Sequence, residues 1–169
     1  MEVISLRSGR QVAIRPIRAN DGQRLSAAYD RLSPESKYRR FLAPKPHLTS
    51  SDTQYLVHVD GRDHVALIAI SVEQPELILG VARFVRSPED PTLAELAVVV
   101  GDDFQQQGLA TALLTRLARA ASERGVKRWR ATMLTSNEPA RRLVQGAAGR
   151  PVRAVHDGPV DELEFELVA

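Results

Sequence analysis

The amino-acid sequence predicts an α/β domain, and three observations carry that prediction. Short apolar, β-branched runs alternate along the chain with segments whose apolar residues recur at helical spacing. The run Leu96–Val100 is followed by an amphipathic helix and then by a second apolar run, Val126–Leu134, so this strand pair should be parallel with a right-handed crossover. At 169 residues, with 43% hydrophobic and 26% charged residues, the chain can bury one substantial core. No internal repeat, low-complexity tract or linker divides it, so a single domain is expected over residues 1–169.

Taken in order, Val3–Leu6 and Val12–Ile14 flank Arg7-Ser8-Gly9-Arg10 as a hairpin would. Pro16 ends the second strand, and Asn20 or Asp21 caps a helix to about Leu32, with Leu25, Ala28 and Leu32 on its apolar face. Ser33-Pro34-Glu35-Ser36 starts a second helix, with serine at N-cap and proline at N1, which Pro44 and Pro46 stop. Thr49, Ser50 or Ser51 caps a third, carrying Tyr55, Leu56 and Val59. Asp60-Gly61-Arg62-Asp63 turns the chain into Val65–Val72, apolar enough to be buried on both faces. Leu77–Val85 is the next strand, where Gly80 permits a bulge or a close backbone approach. Leu109, Leu113 and Leu117, with Ala110, Leu114, Ala118 and Ala121, give the central helix a broad core face that Gly125 closes. Asn137 and Pro139 start another helix, and Val152–His156 with Leu163–Val168 reads as a terminal strand pair.

Composition removes several classes of function. There is no cysteine, so disulfides, thiolate metal sites and a cysteine nucleophile are excluded. The N-terminal segment lacks the apolar core of a signal peptide, and no apolar run is long enough to span a bilayer, so a cytoplasmic protein without membrane contact is expected. A net charge of +2 and the absence of aromatic–basic interleaving give no reason to expect nucleic-acid binding. His58 and His64, with Asp60 and Asp63, match no common metal spacing, and no metal is expected.

The informative stretch is Leu93–Arg116. An apolar strand leads through Gly101-Asp102-Asp103 into Gln105-Gln106-Gln107-Gly108-Leu109-Ala110, which satisfies the pattern Q/R-x-x-G-x-G/A and opens a helix with small residues in its first turn. Backbone N–H groups at such a helix start, assisted by the helix dipole, receive anionic oxygens. The other phosphate motifs, GxxxxGK[ST] and GxGxxG, are absent. Ligands of parallel strand units bind beyond the carboxyl ends of the strands, where both Gln105–Ala110 and Asn137 lie.

With Ala94-Glu95-Leu96-Ala97-Val98-Val99-Val100, the Gln105–Ala110 loop and Asn137 in place, the sequence resembles the GCN5-related N-acetyltransferase (GNAT) superfamily over nearly its whole length. Ile14-Arg15-Pro16-Ile17-Arg18, Leu32-Ser33-Pro34-Glu35-Ser36, Tyr38-Arg39-Arg40-Phe41 and Gly80-Val81-Ala82-Arg83 are similar to the acetyltransferase domain of bacterial Pat-type protein lysine acetyltransferases. The resemblance implies a GNAT fold, with a mixed, mostly antiparallel sheet of about seven strands flanked by helices and a splayed parallel pair that holds coenzyme A. It implies that pantetheine pairs with the bulged strand at Val98, Val99 and Val100, and that Gln105, Gln106, Gln107, Gly108, Leu109, Ala110 and Thr111 hold the pyrophosphate. Asn137 matches a position that contacts the coenzyme from the opposite wall. Relatives often carry a cyclic-nucleotide-binding or acyl-CoA-synthetase-like domain, for which this chain has no room, so that mode of regulation is not expected here.

The expected catalytic residue is Glu95. A carboxylate in an otherwise apolar strand is costly to bury unless partnered or protonated, and burial would suit it as a general base near neutral pH. A salt-bridged carboxylate at the strand's edge is the other reading, and His64 an alternative base. Arg141-Arg142 and Lys127-Arg128 are candidate partners for the coenzyme's 3′-phosphate. The expected function is acetyl transfer from acetyl-CoA to a primary amine, with a protein lysine as the expected acceptor by resemblance, by a monomer or homodimer. A small-molecule amine acceptor and a non-catalytic acyl-CoA-binding module are the alternatives. Three departures bear on this: Gln106 and Gln107 replace the glycine and arginine of close relatives, the helix after Asn137 has no tyrosine to act as general acid, and Gly146-Ala147-Ala148-Gly149 replaces its Leu-Gly-Phe ending.

Overall fold

The computed structural model describes residues 1–167, so Val168 of the expected terminal strand lies outside the described residues. Strands β1 (Glu2–Ser5) and β2 (Gln11–Pro16) form the expected hairpin, followed by α1 (Gly22–Asp30), α2 (Pro34–Phe41) and α3 (Ser50–Val57). Then come β3 (His64–Ser71), β4 (Ile78–Arg86), β5 (Leu93–Val100), α4 (Leu109–Glu123), β6 (Arg128–Leu134), α5 (Glu138–Ala148), β7 (Arg153–Asp157) and β8 (Val160–Glu166). The strands make one eight-stranded sheet ordered β1-β2-β3-β4-β5-β6-β8-β7. Every neighbouring pair is antiparallel except β5 and β6, which α4 joins.

The helix starts follow from their caps. Ser33 accepts from the Ser36 N–H, and Thr49 and Asp52 form a reciprocal capping box. Asp21 holds the N-cap position of α1, but its side chain makes no cap bond to that helix. Its fully buried carboxylate accepts from the Arg18 N–H at 2.7 Å and from two nitrogens of Arg15 at 2.8 and 2.9 Å.

Both sheet faces are covered, as the near-continuous burial of β3 and β4 requires. On one face α4 buries Leu109, Leu113, Leu114, Leu117 and Ala121 against Phe84, Ala94 and Trp129. On the other, Leu25 of α1 and Leu56 and Val57 of α3 pack on Ala66, Ile68 and Val81. Gly80 lies where α4 crosses β4, and a Cβ there would stand 3.2 Å from Leu113 Cδ1 and 3.3 Å from the Val99 carbonyl oxygen. Beside it the register shifts, Ala69 pairing with Gly80 and Ile70 with Ile78, so Leu79 of β4 is the extra residue of the bulge that Gly80 was expected to permit.

Candidate active site

Strands β5 and β6 pair only at Leu93–Arg128, Ala94–Trp129 and Glu95–Arg130. Beyond Glu95 they part: β5 runs on to Val100 still paired with β4, and β6 runs on to Leu134 still paired with β8. The consequence shows in burial. Leu96, Ala97, Val98 and Val99 are half-buried, although equally apolar residues of β3 and β4 are buried. The splay leaves one backbone edge of β5 free, a strand edge ready to take a hydrogen-bonding partner. The bulge implied for β5 is not there, because its pairing with β4 keeps one register from Gly80–Val100 to Arg86–Ala94. The cleft opens because the two strands keep faith with different outer neighbours.

At the wide end of the fork stands the start of α4. Gly108 is its N-cap, at φ +89° and with no side-chain cap, and open space surrounds the position its Cβ would occupy. The first-turn N–H groups of Leu109, Ala110 and Thr111 have no acceptor within the helix by geometry. The loop before it is braced by its own glutamines: Gln105 Nε2 donates to the Val100 carbonyl and Gln107 Nε2 to the Asp103 carbonyl, each at 3.1 Å. Gln106 stands at φ +61°, the left-handed region that favours glycine, while Gln107 Oε1 is buried without a hydrogen-bond partner. Across the cleft, Asn137 is buried, and its Oδ1 caps α5 by accepting from the Ala140 N–H at 3.3 Å. The amide nitrogen of its side chain is not used by that cap.

The model of the acetyltransferase (GNAT) family matches residues 27–148. The chain belongs to the GNAT family. It is 32% identical over 171 residues to acetyltransferase Pat of Mycolicibacterium smegmatis, across 96% of this chain and 51% of that protein, so it spans about half that relative's length. It is 31% identical to acetyltransferase PA5475 of Pseudomonas aeruginosa, across 83% of this chain and 76% of that one. Among solved structures, the GNAT domain of S. lividans PAT superposes with a TM-score of 0.87 at 31% identity, covering 98% of this chain and 96% of that one. A cAMP-binding acyltransferase from Mycobacterium smegmatis superposes with a TM-score of 0.67 at 28% identity, covering 99% of this chain and 47% of that one. The eight-stranded sheet with its single parallel, splayed pair is the GNAT fold, with one strand more than expected.

Glu95 departs from expectation in one respect. Its side chain is 57% exposed, and Oε1 accepts from Arg130 Nε at 3.2 Å. The burial that would have suited it as a base is absent, because it occupies the last shared pair of the fork, where the Arg130 side chain lies beside it. Its position is still distinctive in a GNAT cleft: the carboxylate stands where the free edge of β5 begins. His64 is removed as an alternative base. It is buried, and its Nε2 accepts from Arg83 Nη1 at 3.0 Å; burial, and then the charge of Arg83, push its pKa down to about 4. The pairs Arg141-Arg142 and Lys127-Arg128 are only partly available, since Arg141 binds Asp161 at 2.7 Å and Arg128 binds Asp90 and Glu164. Among the described residues no group of three or more His, Asp or Glu could hold a metal ion. Among the described residues no helix is long and apolar enough to cross a membrane.

Sequence reasoning missed three residues that shape the site. Asp102, just past β5, accepts from the Ser33 N–H and the Ser36 hydroxyl, both at 3.1 Å, and so ties the start of α2 to the cleft. Arg83 and Arg40 line a cavity beneath α1–α3. Arg83 in Gly80-Val81-Ala82-Arg83 and Arg40 in Tyr38-Arg39-Arg40-Phe41 entered the sequence reading only through a resemblance. The signal that could have singled out Arg83 is a cation within a strand otherwise built of apolar and small residues.

Proposed function

We propose that this chain is an acetyl-CoA-dependent N-acetyltransferase that passes acetyl directly to a primary amine, with a protein lysine ε-amine as acceptor. The observation that carries this reading is the fork: a free β-strand edge, orphaned helix N–H groups at its wide end, and a carboxylate at its apex. Pantetheine pairs with the edge at Val98, Val99 and Val100, and the pyrophosphate accepts from the Gln105–Thr111 loop and helix start. The Asn137 side-chain amide contacts the coenzyme from the other wall. In the ternary complex, Glu95 takes a proton from the substrate ammonium, directly or through water, since only the free amine attacks a thioester. The new C–N bond forms as the C–S bond breaks, and the thiolate leaves without a tyrosine because it is a good leaving group near neutral pH. Most of the acceleration comes from holding amine and thioester in reacting geometry.

The test is acetyl-CoA with lysine-containing peptides, read by free-thiol release and by melting temperature. A coenzyme-dependent thermal shift with thiol release supports transfer. A shift without thiol release from any protein or small amine leaves a coenzyme-binding module and rejects catalysis. Release from small amines alone moves the acceptor to the small-molecule class, which the cavity beneath α1–α3 would suit.

A further inference from the structure

The face of the sheet that carries Glu95 also carries a cavity beneath α1–α3. Side chains alternate along a strand, so Glu95, Ala97 and Val99 of β5 share one face, as does Arg83, whose register partner is Ala97. Ala97 and Val99 floor the cavity, and Leu25, Phe41 and Leu56 help to wall it. In this apolar setting stand two guanidinium groups.

Arg83 is only 4% exposed. Its Nη1 donates to the Leu56 carbonyl and to His64 Nε2, both at 3.0 Å. Neither partner is an anion: a histidine accepting at Nε2 is neutral. Arg40 is half-buried with its guanidinium 4.6 Å from the Phe41 ring centroid. Among the described residues no carboxylate pairs with Arg83 or Arg40, whereas Arg15, Arg86, Arg128 and Arg141 each hold an aspartate. Burial, and then the charge of Arg40, push the Arg83 pKa down to about 9. A largely apolar cavity with two cations and no carboxylate paired to either is costly as it stands and favours an entering anion.

We infer that Arg83 and Arg40 form a subsite for a carboxylate, and that the amine acceptor carries this carboxylate close to its reacting nitrogen. The inference rests on the acetyltransferase reading and narrows its acceptor. A guanidinium matches a carboxylate in two-pronged geometry, and the apolar surround strengthens that pairing. The subsite serves the acceptor because the coenzyme cleft opens between β5 and β6, while both arginines lie over β4 and β5. Glu95 and the Arg83 partner Ala97 are separated by one pleat repeat, about 7 Å. A diamino acid bridges that span with its own carboxylate, and a peptide lysine bridges it with an acidic neighbour.

Two matched acceptor pairs test the subsite and separate the sources: lysine against lysinamide, and blocked peptides containing Glu-Lys against Gln-Lys. In at least one pair the carboxylate-bearing member should show a KM tenfold lower or better, and the pair that does so identifies the source. Arg40→Gln should raise that KM about tenfold and leave the KM of the uncharged member unchanged, with Arg40→Lys restoring part of the loss. Arg83→Gln should act likewise, but it also strips the Leu56 carbonyl of a donor, so Arg40 decides the matter. Glutarate gives a readout without turnover: it should raise the melting temperature of the wild-type chain and not of Arg40→Gln. Equal KM within both pairs, or an equal glutarate shift in both proteins, overturns the subsite. A glutarate shift confined to wild type, with no thiol released from any amine, upholds the subsite and rejects catalysis instead.

Discussion

Arg130 Nε lies 3.2 Å from Glu95 Oε1, on the last residue pair that the two parallel strands share. The ion pair therefore closes the narrow end of the cleft. It also presents a carboxylate, already ordered by a cation, where an acceptor amine would meet the thioester. If Glu95 receives the acceptor proton, Glu95→Gln should lower kcat by roughly 10²–10⁴, the usual worth of a positioned base. The thermal shift produced by acetyl-CoA should stay intact, because the side chain lies outside the loop proposed to hold the pyrophosphate. Were the carboxylate only half of an exposed ion pair, the same change would cost at most about 1 kcal/mol of stability and leave turnover within about twofold. Steady-state thiol release and thermal denaturation, measured on one preparation, distinguish the two.

The loop proposed to bind the coenzyme's phosphates holds two residues that a better loop would not choose. Gln106 pays about 1–2 kcal/mol for its left-handed backbone, so Gln106→Gly should relieve more strain than it adds in unfolded-state entropy. A net gain near 1 kcal/mol corresponds to a rise of about 2–4 °C in melting temperature for a chain of this size. A fall in melting temperature would mean that the Gln106 side chain contributes something its backbone angle hides.

Gln107→Arg removes the buried, unpartnered Oε1 and supplies a cation where the coenzyme's phosphates are expected. It should tighten acetyl-CoA binding about tenfold, as a charge-assisted hydrogen bond does, and make the affinity more sensitive to salt. Isothermal titration at two ionic strengths reads both effects. Affinity unchanged at low salt would place the phosphates away from Gln107.

What could be read from the chain was local in character. The helical spacing of Leu109, Leu113 and Leu117, the proline behind Asn137 and the serine before Pro34 each announce an element through neighbours a few residues away. The splayed strand pair followed from resemblance, and the GNAT match and the observed pairing agree with it. The misjudged features depend on distant partners. Glu95 could be read as a buried base or as a salt-bridged carboxylate at the strand's edge, and its exposure is decided by where β6 leaves, thirty-odd positions along the chain. His64 stood as an alternative base until Arg83, on the neighbouring strand, occupied its Nε2. Asp21 looked like a cap because a cap position and a buried ion-pair position carry the same residue type, and only the Arg15 side chain distinguishes them.

That Arg15–Asp21 pair should dominate the acid limb of stability. Burial by itself would raise the Asp21 pKa, but the Arg15 guanidinium, the Arg18 N–H and Arg24 hold it down at about 2. A carboxyl depressed on folding stabilises the protein fully above its unfolded value near 4 and loses that contribution as pH falls toward 2. For a shift of this size the contribution at neutral pH is roughly 2.5 kcal/mol. Asp21→Asn should leave the buried Arg15 cation without its anion and destabilise the chain by about 3–5 kcal/mol at pH 7. The difference from wild type should shrink as pH falls from about 4 to 2, because the wild-type carboxylate is itself being protonated there. Urea denaturation of both proteins across that range measures the convergence. A gap that stayed constant down to pH 2 would show that Asp21 stabilises this corner by shape and hydrogen bonding rather than by charge.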